Sequence, residues 1–178
     1  QRHRRSLYSL KTRGQPDPQL EVFNAPTPDF SCEKRESSTV TPQVFSLFNG
    51  QNTRARALAL AHRAVKETKN DDDAITRLFA LVFARSPRSA ELENCREHWN
   101  VMTSLVGDAK PMNIKPPLEV RRDAVEENTG EKFSFNEKLY ANAEFVPDLQ
   151  PADVVPRTRA LAEVCLVLLN SNEFSYVY

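Results

Sequence analysis

Cys32, Arg35, Thr41 and Gln43 lie close together in the chain and form its densest set of side chains able to do chemistry. Cys32 has Lys34 and Arg35 beside it, and neighbouring positive charge favours the thiolate, the nucleophilic form of cysteine. A nucleophile also needs a base, yet the histidines nearest in sequence, His3 and His62, are about thirty residues away. Glu33 and Glu36 flank Arg35 closely enough for a local ion-pair cluster. Acid–base work would require a second carboxylate in a different environment, and the spacing does not supply one. Near the start, Arg2, Arg4 and Arg5 offer guanidinium groups that can grip a phosphate or carboxylate. The candidate binding residues are therefore Arg4, Arg5, Arg35, Thr41 and Gln43. No residue can be assigned a catalytic role.

Other tempting groups read more simply as structure. Cys95-x-x-His98 could present two ligands from one helical turn, but two more would have to come from elsewhere. Cys95 shares a helical stripe with Leu92, Trp99 and Met102, which favours a core thiol; Cys165 reads the same way. Asp71-Asp72-Asp73 lacks the spacing and glycine of a calcium loop and suits a helix N-terminus. His62, among alanines and leucines, is expected to be half-buried. Three distant cysteines with no Cys-x-x-Cys pair imply neither a disulfide framework nor a haem attachment site. No metal or cofactor is expected in this chain.

The elements that must hold these residues follow from composition and periodicity. A chain of 178 residues can bury a core of its own, and 40% apolar with 27% charged residues is ordinary for a globular protein. Four glycines against twelve prolines argue against a β-sandwich or a glycine-rich phosphate loop. The apolar runs are too short to span a bilayer. Gln1-Arg2-His3-Arg4-Arg5 is charged with no apolar stretch after it, unlike a leader, and a first residue other than Met is expected of a processed or excised piece. Net charge is zero but uneven: 11 basic against 5 acidic residues through Lys66, then 13 against 19. The simplest reading has the basic front packing against, or lying over, the acidic rear. Basic residues are not interleaved with aromatics, so no nucleic-acid surface is expected.

Residues 1–43 read as an irregular, extended segment, with a short extended stretch at Ser6–Leu10 and a helical turn or two within Asp17–Asn24. Thr41 reads as an N-cap with Pro42 at the first helical position, and Asn49-Gly50 as a stop. Helices are expected over about 54–69, 73–85, 90–106 and 157–169. The first carries Leu58, Ala61, His62 and Val65 on one face. The second has Ile75, Leu78, Phe79 and Val82 at i, i+3, i+4 and i+7. Ser89 reads as the cap of the third and Gly107 as its stop. The last is apolar nearly all round, hence central. Residues 108–156 read as a proline-bearing linker, with a short charged helix over Leu118–Asn128 and a long loop beyond. The fold class is mainly α: one domain, an irregular helical bundle with long proline-bearing loops.

Three ordered stretches go beyond composition: Arg4-Arg5-Ser6-Leu7-Tyr8; Phe23-Asn24-Ala25-Pro26 followed by Cys32, Arg35, Ser38-Thr39-Val40-Thr41-Pro42-Gln43 and Leu47-Phe48-Asn49; and Leu168-Leu169-Asn170-Ser171-Asn172-Glu173-Phe174. In this order they resemble, nearly end to end, the C-terminal half of the planctomycete domain of unknown function numbered fifteen fifty-three. The resemblance implies the end of a large, extracytoplasmic, periplasmic protein that also carries a planctomycete cytochrome c domain, any haem belonging to that separate upstream module. It establishes no catalytic residues. Two functions remain open. One is a structural or interaction module that docks an upstream domain of the same protein, or another extracytoplasmic protein, through residues 1–43. The other is part of a hydrolase or redox-associated enzyme acting on carbohydrate, with a site near Cys32, Arg35 and Gln43.

Overall fold

The computed structural model describes residues 6–8, 11–35, 40–107 and 109–176. It is mainly α, as expected. The helices are α1 (Pro18–Val22), α2 (Thr41–Asn49), α3 (Gln51–Glu67), α4 (Asp71–Phe83), α5 (Ser89–Val106), α6 (Tyr140–Ala143), α7 (Pro156–Leu169) and α8 (Asn172–Ser175). Between α5 and α6 runs one antiparallel hairpin, β1 (Glu119–Val125) and β2 (Lys132–Lys138). Two short 3-10 turns, Ser6–Tyr8 and Pro151–Asp153, complete the described elements.

The core forms where four apolar stripes meet. Helix α7 packs on α3 and α5, and α4 joins all three. From α7 come Ala160, Leu161, Val164, Cys165, Leu166 and Leu168; only Val167 of its apolar run is half exposed. Helix α4 brings Ile75, Leu78 and Phe79, the stripe read from the sequence, with Val82 packed at its edge. Helix α5 brings Trp99, with Leu92, Cys95, Met102 and Val106 packed partly buried around it. Full burial of each such aliphatic side chain contributes about 1.5–3 kcal/mol.

Helix α3 faces the core differently from the sequence reading. Its buried side is Ala57, Leu58, Ala61 and Ala64, whereas His62 and Val65 are exposed. Alanine at these positions lets α3 and α7 approach closely, and the helix turns until that seam faces inward.

The caps show local chemistry at work. Asn70 caps α4, its Oδ1 accepting from the Asp73 N–H at 2.8 Å. The aspartates behind it are used: Asp71 pairs with Arg157, and Asp72 meets Arg96 at 2.7 Å. For α2 and α5 the N-cap lies one residue earlier than expected, at Val40 and Arg88. In both helices the third residue reaches back to the cap's N–H. Gln43 Oε1 accepts from Val40 at 3.4 Å and Glu91 Oε2 from Arg88 at 2.7 Å. The reciprocal half of a capping box thus sets these starts, without a hydroxyl.

Helix α4 ends at Ala84, a left-handed residue with φ of 56°. The next residue, Arg85, fixes this turn. Its guanidinium donates to both oxygens of Glu91 at 2.8 Å and both of Glu173 at 2.7 Å, and lies over the rings of Phe79 and Phe83. This clasp ties the short α8 to the bundle.

The segment 118–138 corrects the sequence reading. Leu118–Asn128, expected as a charged helix, is instead strand β1 and the start of a turn; part of the expected loop is β2. Gly130, with φ of 72°, closes the turn. Glu126 ties it down, its Oε2 accepting from the Thr129 hydroxyl at 2.6 Å and the Thr129 N–H at 2.5 Å. Those two bonds, with help from Asn128, hold the Glu126 carboxyl down at about 2. Ser6–Tyr8 likewise forms a 3-10 turn where an extended stretch was expected; Ser9 and Leu10 lie outside the described residues.

The basic front meets the acidic rear through α3, which packs on α7. Helix α1 packs on α2, and α2 on α3. Among the described residues, charge crosses from front to rear where Arg54 meets Glu163 at 3.4 Å and Arg56 meets Asp148 at 3.6 Å.

Candidate functional site

Two places on the surface merit a functional reading: the front segment, where the sequence directs attention, and a groove beside α3 and α7, which it does not.

At the front, Arg35 and Gln43 converge on the C-terminal end of α1. Arg35 Nε donates to the Asn24 carbonyl at 3.1 Å, and its other arm donates to the Phe23 carbonyl. Gln43 Nε2 donates to the Val22 carbonyl at 3.1 Å. A helix leaves its last carbonyls unbonded, and a cation there is favourable on dipole grounds. Asn24 adopts φ of 52°, a left-handed conformation that asparagine tolerates. These two candidate binding residues are thus engaged in holding a loop to a helix end. Glu36, one of the two glutamates expected to pair with Arg35, lies outside the described residues.

Cys32 is exposed, and its thiol donates to the Lys34 carbonyl at 3.1 Å. Thr41 is the exposed first residue of α2. Arg2, Arg4, Arg5 and Ser37–Thr39 lie outside the described residues, so the arginine end of the proposed set is not placed.

What the front does present is apolar surface. Helix α2 buries none of its residues, although its sequence includes Val44, Phe45, Leu47 and Phe48. Phe45 is 62% exposed and Phe30 82%, and Leu7, Tyr8 and Val44 are at least half exposed. Phe48 alone of these packs against the core, at its margin.

The groove has a volume of about 830 Å³ and runs along the start of α3 and the middle of α7. Residues 114–116 and 145–151 form its far wall. Leu58, Val106 and Leu166 form the apolar floor, and Arg54, Asp148 and Glu163 bring charge to the rim. Gln150 braces the wall, accepting from the Ile114 N–H at 2.7 Å and donating to the Ile114 carbonyl at 2.9 Å. Arg159 donates to the carbonyls of Ala109, Pro151 and Val154. None of Cys32, Arg35, Thr41 and Gln43 lines this groove. Its wall belongs to 108–156, where no periodic pattern marks a site; the prolines at 116, 147 and 151 were the available signal.

The shifted titrations among the described residues follow structural bonds. Arg85 holds Glu91 down at about 2, with help from the Arg88 N–H, and lowers Glu173 as well. Arg63 and Arg77 lower Glu67. Burial raises the thiols of Cys95 and Cys165, the opposite of activation. Among the described residues no three His, Cys, Asp or Glu side chains cluster to hold a metal ion. No described helix is long and apolar enough to cross a membrane.

The described residues thus form a helical bundle with an irregular, partly apolar front and a braced side groove. Residues 1–99 match the PSD1 family, proteins of unknown function (DUF1553), and the chain belongs to that family. The match covers the front segment and α1 to α4 and reaches Trp99 in α5; the closing Leu168–Phe174 stretch lies outside it. No curated protein and no solved structure matches the chain.

Proposed function

We propose that this chain is a docking module of a larger extracytoplasmic protein, seating a neighbouring domain or partner against its front segment and α2. The observation that carries this reading is the exposure of α2. A helix bearing Val44, Phe45, Leu47 and Phe48 buries no residue in its own chain, and Phe30, Leu7 and Tyr8 are exposed in the same segment. Contiguous exposed apolar surface is the usual mark of an interaction face. Arg35 and Gln43 support the reading in a second way, since they rigidify the segment and so lower the entropic cost of docking. The family resemblance supports a periplasmic setting beside a cytochrome c domain, whose haem would belong to that module.

The test is hydrogen exchange on the chain alone and joined to the domain that adjoins it in the encoded protein. Docking predicts slowed exchange across 40–50 in the joined form, lost on Val44→Ser/Phe45→Ser. Unchanged exchange there in both forms sinks the reading.

The groove favours a second reading, a small-ligand site, because its volume and mixed walls fall in the range of ligand pockets. Catalysis on a carbohydrate there would need one carboxylate held protonated. Glu163 and Asp148 are instead tied to Arg54 and Arg56, at 3.4 and 3.6 Å. Binding without turnover is the form this reading takes.

A further inference from the structure

The β1–β2 hairpin is sustained by little besides itself. No other element packs closely on it among the described residues, and both strands are largely exposed. A lone two-stranded hairpin is marginal in water, and a third strand is the common remedy.

The register shows which edge is open and what it displays. Glu126 N–H donates to the Glu131 carbonyl at 2.8 Å and Leu139 N–H to the Leu118 carbonyl at 2.9 Å. Bonded pairs alternate in an antiparallel ladder, so Val120–Glu137, Arg122–Phe135 and Ala124–Phe133 are the bonded pairs between them. The N–H and C=O groups of Lys132, Ser134, Asn136 and Lys138 therefore point away from β1. This edge contains no proline, and its seven-residue register runs unbroken. On one face of β2, Phe133 and Phe135 stack 6.0 Å apart, each nearly half exposed. On the other, Lys132 and Lys138 stand at the two ends of the strand.

We infer that the free edge of β2 is a strand-addition site for an extended partner segment, with apolar residues alternating over Phe133 and Phe135 and acidic residues at its ends opposite Lys132 and Lys138. Main-chain bonds supply the affinity in such pairing and alternate side chains the selectivity. Charge argues against a second copy as the occupant. Antiparallel self-pairing about Phe135 sets Lys132 of one copy against Lys138 of the other. Pairing about Ser134 sets Glu131 against Glu137. Like charges directly opposite destabilise a sheet. The β1 edge is less suited, because the side chains next to it on the aromatic face are Val120, Arg122 and Ala124. This inference concerns a surface separate from α2 and does not depend on the docking role of the front.

The test is NMR hydrogen exchange on the full chain with the synthetic peptide Glu-Thr-Thr-Val-Thr-Val-Glu at millimolar concentration, beside its counterpart Lys-Thr-Thr-Val-Thr-Val-Lys. Slowed exchange is expected at the amides of Lys132, Ser134, Asn136 and Lys138, with the lysine-ended peptide bound roughly threefold or more weakly. Asn136→Pro removes one outward donor without touching the β1–β2 ladder and is expected to abolish the protection. If that variant unfolds the hairpin, Lys132→Glu/Lys138→Glu takes its place and must invert the preference between the peptides. Absence of protection with the glutamate-ended peptide, equal binding of both, or protection on the β1 edge overturns the inference. Protection that rises with protein concentration alone assigns the edge to a second copy and overturns it as well.

Discussion

Adjacent positions on α3 provide a sharp test of how this bundle is built. Ala61 has no exposure and lies in the alanine seam facing α7, whereas its neighbour His62 is exposed. Ala61→Leu forces three further carbon atoms into a place with no room. Overpacking of this kind costs about 1–3 kcal/mol, and more where neighbouring helices cannot shift. For a chain of this size each kcal/mol moves the melting temperature by about 2–4 °C, so a fall of about 2–12 °C is expected. His62→Leu adds similar apolar bulk one residue away, but into solvent, where substitutions stay within about 0.5 kcal/mol. Its melting temperature should therefore move by no more than about 2 °C. Trp99 is the chain's one tryptophan and is buried in the same core, so its fluorescence reports the transition directly, with circular dichroism as a check on two-state behaviour. Equal effects at both positions, or a larger one at His62, would mean that α3 presents a different face to α7 and that the packing argument fails.

Other expectations follow from single interactions. Glu91 is held at about 2 in the folded chain against an ordinary value near 4.3, so its contribution is complete above that ordinary value and is lost as pH falls toward 2. Glu91→Gln should flatten the decline of melting temperature between about pH 4.5 and 2, and an unchanged slope would dismiss the Arg85 clasp as its cause. Ala84→Gly relieves a left-handed alanine at the end of α4 and should raise the melting temperature by a few degrees, read from the same fluorescence. A thiol-reactive dye should label Cys32 in the folded chain at once, and Cys165 only on unfolding, with Cys95 between them; fast labelling of Cys165 under native conditions would contradict its burial. Trp99→Phe should cost about 1–2 kcal/mol, because it removes the 2.8 Å bond from Nε1 to the Arg157 carbonyl while keeping most of the ring packing; circular dichroism during thermal unfolding checks it.

The long helices were legible because burial imposes a period. Ile75, Leu78, Phe79 and Val82 had to face one way, and α7 had to be central because it is apolar on nearly every side. Boundaries were read less well where the capping group sits inside the helix, as with Gln43 and Glu91. A reader looking for a hydroxyl at the cap places the start one residue late. The hairpin was missed for a different reason. With both faces in water, nothing forces β1 to alternate, and Glu119–Val125 with its charges resembles an exposed helix. Phe133-x-Phe135 and Asn128-Thr129-Gly130 were the signals available, a period of two beside a turn with glycine at positive φ. The groove was illegible because it is assembled from segments distant in sequence, and the prolines that shape its wall read only as breaks.

The same reasoning explains the structural part played by Arg35 and Gln43, two of the residues that first suggested chemistry. Arg35 and Gln43 sit where a five-residue helix ends in a loop with no core beneath it. A helix that short cannot persist on its own hydrogen bonds, so the nearest side chains able to satisfy its carbonyls become essential to its shape. A dense polar signature in an irregular segment is then what a preformed docking surface requires. The polar groups fix the backbone, and Phe30 and Phe45 are left exposed, the face that the proposed docking would use. An active site built from the same residues would need Arg35 released from the Phe23 and Asn24 carbonyls. Arg35→Ala separates the two cases: docking predicts faster exchange at the amides of 19–25 and weaker seating of the partner together. Weaker seating with α1 exchange unchanged would mean that Arg35 contacts the partner directly, and the scaffold argument would fail.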